Sequence, residues 1–361
     1  MFNRREFLTT AGAFALGGCT TGEGARAANP APDFIWSDLV HFGHKMWGDV
    51  QSAFKAERNG IQTKILTDEE FAQVSTPERM DINRIHFEVP FWRELSAKLR
   101  RDGCNQIVVD VGEFLRYPSH PELALKGSWS PDALKDEVER LKGMGFEVVP
   151  KLNFSTCHDA WLGPYMRMIS TRKYYEVCAD LIRDTMDVFG PVRYLHLGFD
   201  EEDMPHYHRR NSMLVIRQGD LWWHDLNWFV RETEKYGARA WIWSDYIRRH
   251  PVDEFVRRMP KTVLQSPWTY RTNAPSFDDP LVKIFLTLAE NGYDVVPCGS
   301  NCYGNVDNFS AMAAFCRKNL PAERFKGMLM APWIKTIEPY RRLHWQASDL
   351  IAEAIRRTRA V

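Results

Sequence analysis

The sequence feature that most constrains the fold is an alternation, repeated eight times, of a short apolar run with an amphipathic helical segment. The apolar runs are predicted strands, which lie at Leu39–Gly43, Gln106–Val111, Glu147–Leu152, Tyr194–Gly198, Ala240–Trp243, Thr262–Ser266, Asp294–Pro297 and Gly327–Ala331. The predicted helices lie at Phe91–Arg101, Pro131–Gly143, Lys173–Phe189, Leu221–Tyr236, Pro251–Met259, Pro280–Asn291, Phe309–Asn319 and Tyr340–Arg357. Eight such units in 361 residues predict an α/β fold, a (β/α)8 TIM barrel. A doubly wound sheet is the alternative, but no glycine-rich phosphate loop follows the first strand.

A single barrel domain is predicted over residues 33–361, after a linker at 20–32 that is rich in Gly, Ala and Pro. The connection near residues 48–90, between the first strand and its helix, is long for a compact unit. We expect this insertion to form a lid or an ordered excursion over the barrel mouth. The formal net charge of zero argues against nucleic acid or an acidic surface as the main partner.

The first 19 residues have the pattern of an export signal. Arg4 and Arg5 precede the apolar run Ala11–Leu16, as in Tat signals, and the run leads into Gly17-Gly18-Cys19, which resembles a bacterial lipobox. We therefore expect residues 1–19 to be a Tat lipoprotein signal peptide, cleaved before Cys19. A lipid on Cys19 would anchor the mature protein to a membrane, in the periplasm or at the cell surface. An ordinary signal peptide with a chance cysteine is the alternative.

The other cysteines are expected to be buried small apolar residues. Tat substrates fold in a reducing cytoplasm before export, so disulfides are not expected to be required for folding. These residues are Cys104, Cys157, Cys178, Cys298, Cys302 and Cys316.

The segment Tyr194–Glu202, YLHLGFDEE, is the strongest candidate for a functional site because an apolar run ends in consecutive acids. Acids at the carboxyl end of a barrel strand lie where barrel enzymes perform their chemistry. Like charges this close repel, which raises the pKa of one carboxyl and makes it a proton donor near neutral pH. The alternative is a solvated acidic turn before a helix.

Polar and aromatic residues also follow the other predicted strands. Because the strand ends of a barrel converge, these residues are candidates for the same pocket. They are His44, Lys45 and Trp47, then Asp110, Glu113 and Arg116, then Asn153 and His158, then Trp243 and Asp245, then Trp268 and Tyr270, then Asn301, Tyr303 and Asp307, and finally Trp333. Acids, hydrogen-bonding groups and rings together suit a neutral polyhydroxylated ligand such as a sugar.

Several of these segments resemble glycoside hydrolase family 20, the β-N-acetylhexosaminidases. HLGFDEE, which ends at Glu202, resembles the family's His-x-Gly-Gly-Asp-Glu signature. VVPKLNFSTCH, which ends at His158, resembles the family's third strand, with the histidine one position later. EFLRYPSHPEL, from Glu113, and AWIWSD, which ends at Asp245, are similar to its second and fifth strand ends. The resemblance covers roughly residues 37–350 and is most specific at the Asp-Glu segment.

The resemblance implies an exo-acting hydrolase that retains anomeric configuration by substrate assistance, in which the 2-acetamido group of the sugar is the nucleophile. It makes Glu201 the general acid/base and Asp200 the residue that orients the acetamido group. Tyr303 would bind the acetamido oxygen. The implied substrate-binding set is His44, Glu113, Arg116, His158, Trp243, Asp245, Trp268, Tyr303, Asp307 and Trp333. The expected partner is a carbohydrate, and neither a cofactor nor a metal ion is expected.

The sequence departs from the family pattern at the sugar-recognition end. His44 and Lys45 stand where the family has an arginine, and lysine lacks the bidentate fork of arginine. Lys151 and Asn153 stand where the family usually has acids, and Phe199 replaces a glycine. The substrate is therefore either an unusual hexosaminide or a sugar without the acetamido group.

Three alternatives stay open. A barrel glycosidase with two enzyme carboxylates would keep Glu201 as the acid. Its partner would come from Asp110, Glu113, Asp245 and Glu338. A sugar-binding lipoprotein without catalysis would use the same pocket. A metal enzyme is disfavoured, because His206 and His208 are flanked by Pro205, Arg209 and Arg210, as in a surface loop.

Overall fold

The computed structural model describes residues 32–45, 65–202, 217–304 and 307–359, and within them eight parallel strands form a barrel. The strands are β1 Ile35–His41, β2 Gln106–Asp110, β3 Glu147–Lys151, β4 Tyr194–His196, β5 Arg239–Trp243, β6 Leu264–Ser266, β7 Cys298–Gly299 and β8 Gly327–Met330. Their order is β6-β5-β4-β3-β2-β1-β8-β7, and the bridges Gln265–Val295 and Trp268–Cys298 join β6 to the β7 segment. The predicted α/β TIM barrel is confirmed.

Helices follow each strand. They are α1 Asp68–Val74, α2 Pro77–Met80, α3 Val89–Arg101, α4 Pro131–Gly143, α5 Arg172–Phe189, α6 Asp220–Glu234, α7 Val252–Arg258, α8 Pro280–Glu290, α9 Asn308–Asn319 and α10 Arg341–Arg359. Local capping sets several starts: the Ser130 side chain accepts the Ala133 N–H before α4, and Pro131 occupies the first turn. The predicted helices agree with these bounds to within two residues.

The seventh predicted strand was wrong in its bounds. The sequence pattern placed it at Asp294–Pro297, whereas the strand is the two-residue Cys298–Gly299. Pro297 has no N–H to donate to a ladder, so the segment before it pairs only through single bridges, such as Val295 to Phe325. The apolar run therefore predicts the correct part of the chain for the seventh strand, but regular pairing begins only after Pro297.

Alternation along the strands divides the core into two layers. Leu39, Val108 and Val149 face the barrel interior together with Trp241 and Leu264. The larger outer layer packs the other strand face against the helices, through residues such as Val40, Ile107, Leu95 and Ile351. Parallel strands covered by helices bury both faces, which accounts for their nearly continuous apolar sequence.

The described part of the long insertion, residues 65–88, contains α1 and α2 and packs on the segment that follows β8. Leu66 and Val74 form a small apolar cluster with Ile334, Ile337 and Tyr340. The Thr67 side chain and Glu70 cap α1 reciprocally. This segment therefore lies at the strand-end side of the barrel, and its expected role as a lid stays a prediction, since residues 46–64 fall outside the described chain.

The cysteines outside the signal are all free and buried, as predicted. Among the described residues, no helix has both the length and the apolar character needed to span a bilayer. Cys19 and the rest of the predicted signal and linker lie before the described residues, apart from residue 32, so the assignments at 1–19 and 20–32 stay predictions.

Candidate active site

The carboxyl ends of β1 to β4 present a buried layer of charged and polar side chains. The Lys151 Nζ lies 2.5 Å from Asp110 Oδ2, and the His41 Nδ1 lies 3.4 Å from the same oxygen. Burial opposes ionisation of Asp110, but the charge of Lys151 and the contact with His41 keep its pKa below the usual range. His196 accepts the Gly198 N–H at Nδ1, at 3.1 Å, so its neutral ring carries the proton on Nε2. Burial lowers the pKa of His196 well below its ordinary value.

The backbone just after β4 is held in an unusual conformation. Gly198, Phe199 and Glu201 all have positive φ, at 78°, 66° and 55°. For residues with a Cβ this conformation costs about 1–2 kcal/mol each. A Cβ on Gly198 would lie 1.9 Å from Asn153 Oδ1, so only glycine fits there. Strain of this kind, maintained by its surroundings, is typical of functional sites.

Asp200 and Glu201 meet at one histidine. The His158 Nε2 lies 3.2 Å from Asp200 Oδ2 and 3.1 Å from Glu201 Oε2. The Asn153 side-chain amide donates to Asp200 Oδ1 at 3.1 Å, and the Ser155 hydroxyl donates to the Asp200 carbonyl. Asp200 is thereby fixed, whereas the Glu201 side chain keeps 23% of its surface exposed.

Glu202, the third acid of the run, points away from solvent and has a structural partner. Its Oε1 accepts hydrogen bonds from the Thr156 backbone N–H, at 2.8 Å, and from the guanidinium of Arg217. Arg217 also donates to the Phe154 carbonyl at 2.7 Å and contacts Asp225 at 3.4 Å. The adjacent acids Glu201 and Glu202 therefore have separate environments: Glu202 is paired with Arg217, whereas the Glu201 side chain is partly exposed.

Asp245, at the end of β5, is buried beside the acidic run. The Trp268 indole N–H donates to its Oδ2 at 2.8 Å, and Arg248 lies 3.4 Å from its Oδ1. Burial raises the pKa of Asp245 to about 6, and the charges of Asp200 and Glu201 act in the same direction while Arg248 opposes them. The Arg248 guanidinium also stacks over Trp268, 3.7 Å from the ring centroid. Asp245 therefore fixes the orientation of Trp268.

Aromatic rings line the other side of the strand ends. Trp333, with φ 59°, packs between His41 and Trp243, with ring centroids 5.7 Å and 5.6 Å away. Trp243 is 1% exposed and belongs to the floor of the site. Trp268 and Tyr270 stack at 4.8 Å. Tyr303 is 38% exposed and lies 6.4 Å from the Tyr270 ring.

A small pocket opens beside Glu201, between the ends of β4 and β5. It is lined by Phe199, Glu201, Glu202, Trp222, Asp245, Tyr246, Arg249 and His250. Glu201 and Asp245 therefore border the same pocket.

Other predicted site residues have different surroundings. Glu113 Oε1 accepts the backbone N–H groups of His44 and Lys45, at 2.7 Å and 2.8 Å, so it holds the loop after β1. Burial raises the pKa of Glu113 to about 7. Arg116 is exposed and donates to the Ser128 carbonyl at 3.3 Å. Asp307 precedes α9 and lies 3.7 Å from Arg357 of α10.

Sequence reasoning missed His41, His196 and Arg217. The two histidines were accessible from strand alternation, since His196 shares the interior face of β4 with Tyr194. Arg217 had no local signal, because its partners Glu202 and Phe154 come from other segments. His206 and His208 lie outside the described residues.

No cluster of His, Cys, Asp and Glu side chains suited to a metal ion occurs in the part of the chain that the structure describes. No family model and no curated protein matches the sequence.

Solved structures of family-20 enzymes do match the barrel. The β-N-acetylhexosaminidase of Streptomyces coelicolor aligns with a TM-score of 0.56 and 14% identity, over 88% of this chain and 64% of that chain. The chitobiase of Flavobacterium johnsoniae aligns at 0.55 and 15%, over 76% and 48%. The β-N-acetylhexosaminidase of Bacteroides fragilis aligns at 0.54 and 15%, over 88% and 66%. The fold is that of the family-20 barrel. The chain spans about half to two thirds of the length of these enzymes.

Proposed function

We propose that the protein is an exo-acting glycoside hydrolase of the β-N-acetylhexosaminidase kind, with Glu201 as general acid/base and Asp200 as the residue that orients the substrate's acetamido group. The observation that carries the proposal is the pairing of Asp200 and Glu201 on His158 at the end of β4. This arrangement occurs in a barrel whose fold matches family-20 enzymes. The bound sugar would lie over Trp333 and against Trp268 and Tyr303.

The environments of the two acids suit these roles. Glu201 is partly exposed and adjoins the pocket, so it can reach a leaving oxygen. Asp200 accepts a hydrogen bond from Asn153 and lies 3.2 Å from His158 Nε2, so its carboxylate is held in a fixed position. A fixed carboxylate next to the acetamido N–H would orient the carbonyl oxygen toward the anomeric carbon and stabilise the positive charge of the cyclised intermediate.

Substrate assistance is favoured over a second enzyme carboxylate because the alternative acids already have partners. Asp110 is paired with Lys151, and Glu113 holds backbone amides of the β1 loop. Asp245 contacts Trp268 and Arg248, and Glu338 accepts from Arg341 at 2.7 Å. The segment Pro297–Gly304 after β7, PCGSNCYG, contains no acid.

Glu201→Gln tests the proton donor. We expect kcat on an alkyl or sugar leaving group to fall by about 10²–10⁴-fold, because no acid remains to protonate the leaving oxygen. The loss should be much smaller with a nitrophenyl leaving group, which departs without protonation. Steady-state kinetics on both substrates, with KM and product binding as controls for the intact pocket, provide the measurement. Equal rates for parent and variant on the poorer leaving group would rule out Glu201 as the acid.

The substrate class is tested by comparing nitrophenyl glycosides of GlcNAc, GalNAc, glucose and galactose. Substrate assistance predicts turnover of the acetamido sugars only, inhibition by a thiazoline mimic of the cyclised intermediate, and loss of that inhibition in Asp200→Asn. Turnover of glucosides would favour a two-carboxylate glycosidase instead. Binding without turnover of any glycoside would favour a sugar-binding protein.

A further inference from the structure

We propose that the end of the barrel opposite the candidate active site docks on an anionic phospholipid surface. This end carries the strand starts and the last turns of the helices. The chain reaches β1 here, through Phe34, whose carbonyl accepts the Asn105 side-chain amide at 2.8 Å. The predicted linker at 20–32 therefore joins the barrel on this face.

The helix ends around Phe34 come from α3, α9 and α10. Arg317 of α9 lies over the Phe34 ring, 6.0 Å from its centroid. A Cβ on Gly103, just after α3, would lie 2.6 Å from Ile355 of α10, so these two helix ends adjoin. The three helices therefore form one continuous surface, which we call the entry face.

The entry face carries exposed cations without carboxylate partners. Among the described residues, no ion pair involves any of the following side chains: Arg100, Arg101, Arg317, Lys318 and Arg359. The nearby acids are mostly matched to other cations. Lys98 lies 2.6 Å from Asp102, Arg324 lies 3.3 Å from Asp294, and Arg357 lies 2.7 Å from Glu353. Asp33 and Glu323 are exposed acids in this region, and they offset only part of the positive charge.

Helix dipoles explain part of this pattern, because cations are favoured at helix C-termini. They do not explain why these cations lack carboxylate partners, since the basic last turns of α4 and α7 are ion-paired, as Arg140 is with Glu137 and Arg258 with Asp220. The formal net charge of the chain is zero, so the positive charge of the entry face is balanced by negative charge elsewhere in the chain. An anionic bilayer would attract the entry face, and the strand-end pocket at the opposite end of the barrel would then open away from the membrane.

The strength of such docking follows from the charge. Each Lys or Arg near an anionic membrane contributes about 1 kcal/mol, and salt screens the attraction within roughly a Debye length. Docking at the entry face does not depend on the proposed hydrolase activity. It would act together with a lipid on Cys19 and orient the barrel on the membrane.

The test uses the full chain with Cys19→Ser, so that no lipid contributes. Co-sedimentation with vesicles of phosphatidylcholine, with and without phosphatidylglycerol, is measured at low and at physiological salt. We expect binding only to the anionic vesicles, weakening as salt rises. Replacing the five unpaired entry-face cations by Gln should weaken binding at low salt by about 10³–10⁴-fold, since each contributes about 1 kcal/mol. That variant carries R100Q, R101Q, R317Q, K318Q and R359Q.

A matched control removes the same charge from exposed positions elsewhere on the barrel. It carries K126Q, K135Q, R172Q, K173Q and K283Q. We expect this control to bind anionic vesicles as the parent does, with circular dichroism confirming that both variants are folded. Equal loss in the two variants, equal binding to neutral vesicles, or tighter binding to heparin than to vesicles would each overturn the proposal. Glycoside turnover, measured separately on a soluble substrate, reports on the hydrolase proposal alone.

Discussion

Two buried carboxyl groups of the barrel differ in whether they have a partner, and the one without a partner lowers the stability of the fold. Asp38 of β1 faces the helices, is 1% exposed and has no hydrogen-bond partner for either oxygen among the described residues. Burial raises its pKa well above the ordinary value. By contrast, Asp110 on the same sheet has Lys151 as a partner and stays ionised. The difference between the two carboxyls is the presence of a buried cation.

Asp38→Asn should therefore stabilise the protein at alkaline but not at acidic pH. A carboxyl whose folded pKa is raised contributes fully to stability below its unfolded pKa of about 3.9 and loses that contribution as the pH rises. The amide does not ionise, so we expect the free energy of unfolding to exceed that of the parent by about 1–2 kcal/mol at pH 8. Urea unfolding between pH 4 and 8 measures this difference.

The control for that experiment is Asp136→Asn, an exposed acid on α4, which should leave the pH profile unchanged. If the gain of Asp38→Asn were the same at pH 4 and pH 8, titration of Asp38 would not be its cause.

At the scale of elements, the turn after β4 places the acids. Gly198, Phe199 and Glu201 adopt positive φ, which turns the Asp200 side chain toward Asn153 and His158. The close contact of Gly198 with Asn153 leaves no space for a side chain. The geometry of the site therefore depends on one glycine as well as on the acids.

Gly198→Ala tests this dependence. Its methyl group would displace Asn153 and with it Asp200, so we expect a loss of about 2–4 kcal/mol in stability and a fall in kcat in the variant that remains folded. Gly237→Ala is the matched control, since Gly237 has φ 72° and nothing within 4 Å of an added Cβ. The control should lose only about 1–2 kcal/mol, from backbone strain alone, and keep its activity. Thermal melts and kinetics of both variants provide the comparison, and equal kcat in the two would contradict the role of Gly198.

Local patterns explain why most elements were predictable and some contacts were not. The helical spacing of Leu134, Val138 and Leu141 predicted α4, and the apolar run before Asp200 predicted β4. Strand seven was displaced because Pro297 interrupts the ladder within an apolar run. The pairing of Arg217 with Glu202 joins segments on either side of residues 203–216, so no local signal could reveal it.

At the scale of the whole molecule, parallel strand order is what made the site predictable. Strand ends converge in any barrel, so Asp200, Glu201, His158 and Asp245 could be grouped before their contacts were known. Convergence does not say which side chains stay accessible, and Trp243, predicted to wall the sugar pocket, lies in the packed floor. Trp243 is buried because the rings of Trp333 and His196 pack against it. These residues come from different strands and loops, so their contact with Trp243 is seen only in the folded barrel.

The extent of strand pairing also differs around the barrel, which predicts where the barrel opens first. β1 and β2 pair over five registered residues, from Ser37–Gln106 to His41–Asp110. Among the described residues, the backbone pairing of β6 with the β7 segment is limited to the bridges Gln265–Val295 and Trp268–Cys298. Pro267 and Pro297 in this seam have no N–H to donate. Fewer ladder hydrogen bonds lower the free energy of local opening, because such openings break the bonds of one cooperative unit at a time.

Native-state hydrogen exchange should therefore show the seam as the first unit of the barrel to open. We expect peptides covering Leu264–Gly299 to exchange at least about tenfold faster than peptides covering β1 and β2, which corresponds to about 1.4 kcal/mol in opening free energy. Mass spectrometry of peptic fragments measures this, with α10 as an internal reference for a well-packed helix. Hydrogen-exchange protection that is uniform around the barrel, or weakest at β1 and β2, would contradict this prediction. It would mean that the bridges and the side-chain packing at the seam stabilise it as much as a regular ladder of hydrogen bonds would. The seam includes the bridge between Trp268 and Cys298, so its opening would also release the Trp268 indole from its hydrogen bond to Asp245. A glycoside that binds over Trp268 would stabilise the closed seam. Such a ligand should therefore slow hydrogen exchange in these peptides more than in the rest of the barrel.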